Sequence, residues 1–252
     1  MRGLKGKVGI IAGGGRGIGA ATARRLADEG AHVVIGDIAE DWAKETAEKI
    51  VGDGGTAIGV HLDGTSVESQ QEIVATALET YGTLDFFHSN LAGGTVGDFN
   101  ALDCPLEVFD KSVEINTKSH LIATQAALPV MLENGGGAMI YTSSGAASAG
   151  LPWQVAYPMT KNAIHALARH VAAKWGKKGI RANVICPGLV LTEAVQQYMT
   201  EEQVAMGLKA IPHTRLGQPD DIAAMVALLA SDDGAWINGQ VYHVNGGNQM
   251  RD

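Results

Sequence analysis

A tyrosine and a lysine stand four residues apart in the segment Tyr157-Pro158-Met159-Thr160-Lys161. On a helix this spacing puts both side chains on one face, with Cβ atoms about 5–6 Å apart. A free tyrosine has a pKa of about 10 and is a poor base at neutral pH. An adjacent ammonium favours the phenolate and lowers that pKa by roughly 1–3 units. The pair therefore predicts an acid/base catalyst in which Lys161 tunes the phenol of Tyr157.

A serine follows the apolar run from Ala138 to Thr142, which is predicted to be a buried strand. The carboxyl ends of parallel strands are where α/β sheets bind ligands. A hydroxyl at that edge can hold a substrate oxygen whose charge changes during a reaction. Ser144 is therefore the predicted partner of the tyrosine and the lysine, and the neighbouring Ser143 is the alternative.

A glycine-rich turn, Ala12-Gly13-Gly14-Gly15-Arg16-Gly17-Ile18-Gly19, joins the first predicted strand to the first predicted helix. Backbone amides at such a helix start, together with the helix dipole, bind a pyrophosphate. No Gly-Lys-Ser/Thr follows, so the turn is not a P-loop. The spacings Gly15-x-Gly17-x-x-Ala20 and Gly13-x-x-x-Gly17-x-Gly19 both fit a dinucleotide site, the alternative being an ordinary flexible turn.

An acidic residue follows the second predicted strand. Asp37 lies 18 residues after Gly19, where a carboxylate accepts hydrogen bonds from the ribose 2′- and 3′-hydroxyls of a dinucleotide. A 2′-phosphate would meet like-charge repulsion there. Arg16 argues the other way, because a basic residue in the loop can reach a 2′-phosphate. Asp37 would sit directly at the ribose edge, so we expect NAD rather than NADP.

Short apolar runs and longer amphipathic stretches alternate along the chain, and they predict the scaffold for these residues. Predicted strands are 8–12, 32–36, 56–62, 84–88, 138–142, 180–185 and 241–244. Predicted helices are 18–29, 39–51, 67–81, 105–133, 157–175 and 220–230. Because parallel strands need crossovers, we expect one α/β domain over residues 1–252. It would be a doubly wound, Rossmann-type fold, with a parallel sheet of about seven strands and helices on both faces.

The composition argues against several classes of protein. The formal net charge is −8, whereas a nucleic-acid binder needs a basic face. No apolar stretch approaches the roughly 18 residues that span a bilayer. The distant Cys104 and Cys186 make no disulfide framework or zinc pattern and fit a cytoplasmic protein. His165 and His170, five apart on a predicted helix, are misaligned for a shared metal, so we expect no metal and no nucleic-acid or membrane partner.

Several motifs in the right order make the chain resemble the short-chain dehydrogenase/reductase family. The glycine turn resembles the family's TGxxxGxG, with Ala12 in place of the threonine. Ser144 stands thirteen residues before the tyrosine of YxxxK. Residues 187–192 match PGxxxT, and residues 238–239 and 244–247 match the closing segment. The resemblance covers nearly all of the chain.

The resemblance implies a role for each matching residue. Ser144, Tyr157, Lys161 and Asn116 would be the catalytic group, with the main chain of Asn116 holding a water of the proton relay. Residues 187–192 would cradle the nicotinamide, and Asp63 would contact the adenine amino group. The predicted cofactor-binding set is Gly13, Gly15, Arg16, Gly17, Ile18, Gly19, Asp37, Ile38, Asp63, Gly64, Asn90, Tyr157, Lys161, Pro187, Gly188, Val190 and Thr192.

Two positions depart from the family pattern. The family's NNAG corresponds to residues 89–92, or to 90–93 with a gap, and either alignment alters the wall beside the adenine ribose. Pro158 follows the tyrosine, where the family usually has a small residue. Because proline is tolerated in the first turn of a helix, we expect Tyr157 to lie near the helix start.

The resemblance implies hydride transfer between NAD(H) and a secondary alcohol or ketone. Tyr157 would exchange the hydroxyl proton, and Lys161 would tune it and hold the nicotinamide ribose. Residues 192–213 are expected to close over the substrate as a lid, the alternative being ordinary helix packing. An apolar or cyclic small molecule is expected in contact with Ser144, Gly94, Thr95, Trp153, Tyr157, Met199 and Met206.

Other functions stay open beside this one. They are an NADPH-dependent ketoreductase of the acyl-thioester type, a non-catalytic dinucleotide-sensing protein and a glycine-rich methyltransferase. Asp37 opposes the first, the complete Ser–Tyr–Lys set opposes the second, and the methyltransferase would not explain Tyr157, Lys161 and the Pro187-Gly188 motif. The resemblance also implies a homotetramer, formed through the helices predicted at 105–133 and 157–175.

Overall fold

Seven strands form one parallel sheet in a computed structural model of the chain, which describes residues 1–250. The strands are β1 (Val8–Ala12), β2 (His32–Asp37), β3 (Thr56–His61), β4 (Phe86–Ser89), β5 (Gly137–Thr142), β6 (Ile180–Pro187) and β7 (Val241–Val244). Their order is β3-β2-β1-β4-β5-β6-β7, and every pair is parallel. The winding reverses between β1 and β4, which opens a crevice at the carboxyl ends of those strands.

Helices connect the strands and account for most of the remaining chain. They are α1 (Gly17–Asp28), α2 (Glu40–Gly52), α3 (Val67–Tyr81), α4 (Leu106–Val113), α5 (Ser119–Glu133), α6 (Ala156–Trp175), α7 (Glu193–Tyr198), α8 (Glu201–Lys209) and α9 (Pro219–Ala230). The continuous helical region predicted at 105–133 needs one correction, because a π-helical turn, Glu114–Lys118, separates α4 from α5. Apolar spacing does not reveal a single wide turn.

The two faces of the sheet bury two separate apolar clusters. Neighbouring residues of β1 belong to different clusters, with Val8 and Ile10 on one face and Ile11 on the other. Helices α3, α5 and α6 pack on the first face, and α1, α2 and α9 pack on the second. This alternation is what the side-chain period of a strand requires when both faces are covered. The predicted single, doubly wound α/β domain is confirmed.

Two features of residues 1–250 bear on the classes of protein considered above. None of the helices described there has the length and apolar run needed to cross a membrane. Within the same residues, no group of three or more His, Cys, Asp and Glu side chains is placed to hold a metal ion.

Candidate active site

The tyrosine lies at the start of helix α6. The helix begins at Ala156, so Tyr157 is its second residue and Pro158 its third. The expectation that Tyr157 lies near the helix start, which was drawn from Pro158, is confirmed. One turn on, Lys161 is 1% exposed, and its Nζ donates hydrogen bonds to the carbonyls of Leu91 (2.8 Å) and Thr142 (3.1 Å). Nζ lies 6.0 Å from the centre of the tyrosine ring. The predicted shared helix face is thus present.

Burial dominates the protonation of both groups. It lowers the pKa of Lys161 from 10.5 to about 7. It raises the pKa of Tyr157, although a hydrogen bond with the Ser144 hydroxyl acts in the opposite direction. The net pKa of the phenol is therefore raised, and the lowering expected from the lysine is not seen in this structure. With a pKa of about 7, the Lys161 amine is only partly protonated near neutral pH, and burial is the largest influence on the pKa of the phenol.

The two candidate serines face different surroundings at the end of β5. Ser143 is 3% exposed, and its hydroxyl donates to the carbonyl of Lys161 (2.9 Å) and pairs with Nε2 of His165 (3.0 Å). Ser144 Oγ accepts a hydrogen bond from the amide of Ala146 (3.1 Å) and is the hydroxyl that pairs with Tyr157. The geometry favours Ser144 as the partner of the tyrosine, since the hydroxyl of Ser143 is already engaged.

Asn116 is fully buried in the π-helical turn. Its Nδ2 donates to the carbonyl of Gly93 (2.7 Å), and its Oδ1 accepts from the amide of Gly93 (3.2 Å). The side chain therefore fixes the loop after β4 and leaves the main chain for any relay. Wide π turns recur at functional sites, and the role of Asn116 in a proton relay stays a prediction.

The glycine turn permits an unusually close approach of backbone to backbone. Gly13 has φ of +75°, a left-handed conformation that side chains rarely adopt. A Cβ on Gly19 would lie 1.9 Å from the carbonyl oxygen of Gly13, so no side chain fits there. The turn therefore brings the start of α1 against the end of β1 and leaves the space above it open for a ligand.

Two adjoining cavities run along the carboxyl edge of the sheet and share Asn90 and Ala92. The cavity at the catalytic end has a volume of about 370 Å³ and is lined by Arg16, Gly17, Ile18, Asn90, Ala92, Thr142, Ser143, Ser144, Tyr157, Lys161, Pro187, Gly188, Leu189, Val190, Thr192, Glu193, Ala194 and Val195. The second has about 530 Å³ and is lined by Gly13, Asp37, Ile38, Leu62, Asp63, Gly64, Thr65, Asn90, Leu91, Ala92, Gly93, Lys111, Glu114, Ile115 and Ser119. A two-part groove of this shape fits the two halves of a dinucleotide.

Carboxylates line the larger cavity, which we call the adenosine end. Asp37 Oδ2 accepts from the amide of Gly15 (3.0 Å), and its Oδ1 accepts from the amide of Ala39 (3.1 Å). Asp63 accepts from the hydroxyl and the amide of Thr65, and these bonds lower its pKa. Hydrogen bonds therefore hold both carboxyl groups in place in the lining of this cavity.

Some predicted site residues lie outside both cavities. Gly15 and Gly19 belong to the turn behind the groove, and Asn116 is buried beneath it. The predicted substrate contacts that line neither cavity are Gly94, Thr95, Trp153, Met199 and Met206. Trp153 is 63% exposed and Met206 is 61% exposed. Their sequence spacing does not say where each side chain points, so their contact with substrate stays a prediction.

Further residues of the site were not assigned contacts by the sequence analysis. Ala194 and Val195, in the first turn of α7 and within the predicted lid segment 192–213, line the catalytic end. Leu91 lines the adenosine end, and its carbonyl holds Lys161. Asp98 accepts hydrogen bonds at the start of α6. The only sequence signal for the role of Leu91 was its position within the altered NNAG segment. Nothing in the sequence pairs Asp98 with a helix about sixty residues away.

Comparison with known proteins gives matches along nearly the whole chain. The profile of a family described as Enoyl-(Acyl carrier protein) reductase matches residues 12–249. The 7alpha-hydroxysteroid dehydrogenase of Escherichia coli (strain K12) is 36% identical over 244 residues, covering 97% of this chain and 94% of the relative. Dehydrogenase/reductase SDR family member 4 of Homo sapiens is 33% identical over 251 residues, covering 98% and 89%.

A solved structure matches just as completely. It is described as 7 alpha-hydroxysteroid dehydrogenase complexed with NADH and 7-oxo glycochenodeoxycholic acid. The two folds superpose with a TM-score of 0.92 at 35% sequence identity, covering 98% of this chain and 97% of the other.

Proposed function

The chain belongs to the short-chain dehydrogenase/reductase family and is an NAD(H)-dependent oxidoreductase acting on a CH–OH group, and from this premise we propose that Tyr157, Lys161 and Ser144 perform its chemistry. The observation that carries the proposal is the catalytic-end cavity. The phenol, the buried amine and the serine hydroxyl line it together. It also contains most of the Pro187–Thr192 segment, which is proposed to hold the nicotinamide.

The residues at this end each have a distinct task. When bound, NAD(H) supplies a hydride acceptor or donor at its nicotinamide ring. Tyr157 takes the hydroxyl proton of the alcohol during oxidation and returns a proton to the ketone oxygen during reduction. Ser144 holds that same oxygen as its charge changes. Lys161, buried one turn along the helix from the phenol, would hold the nicotinamide ribose.

The substrate we propose is a cyclic secondary alcohol or ketone of the steroid type. Relatives named 7alpha-hydroxysteroid dehydrogenase align over almost the whole chain. Apolar Leu189, Val190 and Val195 line the catalytic end. These side chains suit a rigid hydrocarbon ring system better than a charged group. Residues 192–213 would form the lid, since α7 begins at the cavity and α8 follows it directly.

We propose that the adenosine end selects NAD over NADP in two layers. The Asp37 carboxylate lines the adenosine end, where it would accept hydrogen bonds from the ribose hydroxyls and repel a 2′-phosphate. Arg16 could reach such a phosphate, but its guanidinium forms an ion pair with Glu45 and lies 5.5 Å from the centre of the Trp42 ring. The basic group is therefore engaged by α2 and less available to a phosphate.

A substrate panel tests the function and separates the alternatives. The purified chain is supplied with NAD and cyclic or aliphatic secondary alcohols, including a 7α-hydroxylated bile acid, and NADH absorbance is followed. We expect the highest kcat/KM on a cyclic secondary alcohol. NAD binding by calorimetry without turnover on any alcohol would instead favour a dinucleotide-sensing protein. Reduction of an acyl thioester with NADPH as the preferred cofactor would favour the ketoreductase.

We also propose a homotetramer in the cytoplasm. The helices implied in the family's assembly correspond here to α5 and α6, which bury one face on the sheet and keep exposed positions such as Leu121 and Met159 on the other. Size-exclusion chromatography with light scattering tests the assembly, and a monomeric mass would contradict it.

A further inference from the structure

Helix α6 lacks a cap of its own. Its N-cap residue, Val155, has no side-chain hydrogen-bonding group, and no acidic residue lies in the first turn. The first turn of a helix leaves its amide hydrogens without intrahelical partners. Here the amide hydrogens of Val155, Ala156 and Tyr157 need partners outside the helix, whereas Pro158 has no amide hydrogen. The amide of Met159 is bonded to the carbonyl of Val155.

A distant carboxylate meets all three free amides. Asp98 Oδ1 accepts from the amides of Val155 (3.0 Å) and Ala156 (3.0 Å), and Oδ2 accepts from the amide of Tyr157 (2.9 Å). Asp98 is 9% exposed. Burial alone would raise its pKa, but the bonds from Tyr157, Ala156 and Val155 outweigh it and the pKa is lowered. A carboxylate at the positive end of the helix dipole is favoured as well.

Asp98 also ends a short loop that is fixed at both ends. At residue 93 the loop is held by the carboxamide of Asn116. Between the two anchors, Gly94 and Gly97 have positive φ angles, and Val96 is 93% exposed. The amide of Asp98 donates to the carbonyl of Thr95 and closes a turn. The loop containing the predicted substrate contacts Gly94 and Thr95 is thereby joined to the helix that carries the tyrosine.

We propose that Asp98 is a positioning residue: its carboxylate fixes the first turn of α6, and with it the phenol of Tyr157, against the 93–98 loop. The proposal rests on the catalytic role of Tyr157. Three hydrogen bonds to consecutive amides define both the position and the direction of that turn. Without them the turn is free to fray, and displacement of a reacting group by about 1 Å can cost roughly 10²-fold in rate.

Steady-state kinetics of two variants test the proposal. Asp98→Ala removes every acceptor, and we expect kcat to fall roughly 10²-fold while the calorimetric affinity for NAD stays within about twofold. Asp98→Asn keeps one acceptor oxygen but turns an amide donor toward the helix, so we expect partial rescue, with kcat about tenfold below wild type. Asp103→Asn is the matched control. Asp103 is an exposed residue five positions further along the chain, and its carboxylate bonds only Asn100 among the described residues.

The readout separates positioning from a purely structural cap. All variants are assayed below the lowest melting temperature, so a loss of stability alone leaves kcat unchanged and overturns the proposal. A kcat within about twofold of wild type in Asp98→Asn also overturns it, even if Asp98→Ala does not fold. Failure of the proposed function would be seen separately, as a wild-type chain that oxidises no alcohol or a Tyr157→Phe variant that retains turnover.

Discussion

The two ends of the groove are built by different means. At the adenosine end, Asp37 and Asp63 each bond to groups within the same strand-end loop or the neighbouring glycine turn. At the catalytic end, Lys161 is held by Leu91 and Thr142, and Tyr157 by Asp98. The carboxylates of the first end are held mainly by the loops that carry them, whereas Lys161 and Tyr157 at the second end are each held by a residue 70 or 59 positions away. Binding and chemistry should therefore be separable by mutation.

Outside the phenol itself, the largest separation is expected for Lys161→Met. The variant removes the buried amine at the catalytic end, and we expect turnover to fall about 10²-fold or more, a larger loss than that of NAD affinity, which loses one proposed contact with the nicotinamide ribose. Lys174→Met, on an exposed position of the same helix, is the control. A Lys161→Met variant with turnover within tenfold of wild type would contradict the assignment of Lys161 to the chemistry of the catalytic end.

The same variant should change how stability depends on pH. The folded pKa of Lys161, about 7, lies below its ordinary value of 10.5. Between these values the unfolded chain binds more protons, so wild-type stability rises with pH. Each pH unit within that window is worth on the order of 1 kcal/mol of wild-type stability. Denaturant unfolding from pH 7 to 10 should show a smaller rise for Lys161→Met than for wild type, and identical slopes would contradict the low pKa.

At the adenosine end, Asp37→Ser should change cofactor choice rather than chemistry. It removes the negative charge that would repel a 2′-phosphate. It also removes a charged acceptor for the ribose hydroxyls, and each loss should change cofactor affinity by about tenfold or more. We expect the ratio of kcat/KM for NADP to that for NAD to rise about 10- to 10²-fold. Asp41→Ser, an exposed acid of α2, serves as the control. An unchanged ratio would show that Asp37 does not read the ribose.

The smallest effect is expected for Glu45→Gln. Loss of the ion pair frees Arg16 to approach a 2′-phosphate, but partly exposed ion pairs are weak. We expect the same ratio to rise about two- to threefold, and to rise further when combined with Asp37→Ser. Glu48→Gln, an exposed position of α2, gives the baseline. A Glu45→Gln variant that prefers NAD more strongly than wild type would contradict the proposed role of the Arg16–Glu45 ion pair in cofactor selection.

What the sequence could predict follows the same division. The apolar run of β1, the glycines after it and the acid at the end of β2 lie close together in the chain, and their arrangement follows from local rules. The π-helical turn at Asn116, the Asp98 contact with α6 and the raised pKa of Tyr157 do not. Each depends on burial or on partners remote in sequence, such as Asn116 on Gly93, which spacing does not encode.

Measuring NAD affinity and turnover together on Tyr157→Phe tests the central claim most directly. The phenol hydroxyl is the only group removed, and the ring that packs at the start of α6 remains. The account predicts NAD affinity within about twofold of wild type and turnover reduced about 10²- to 10⁴-fold. Turnover near the wild-type rate would contradict it, because the proton would then be moved by another group.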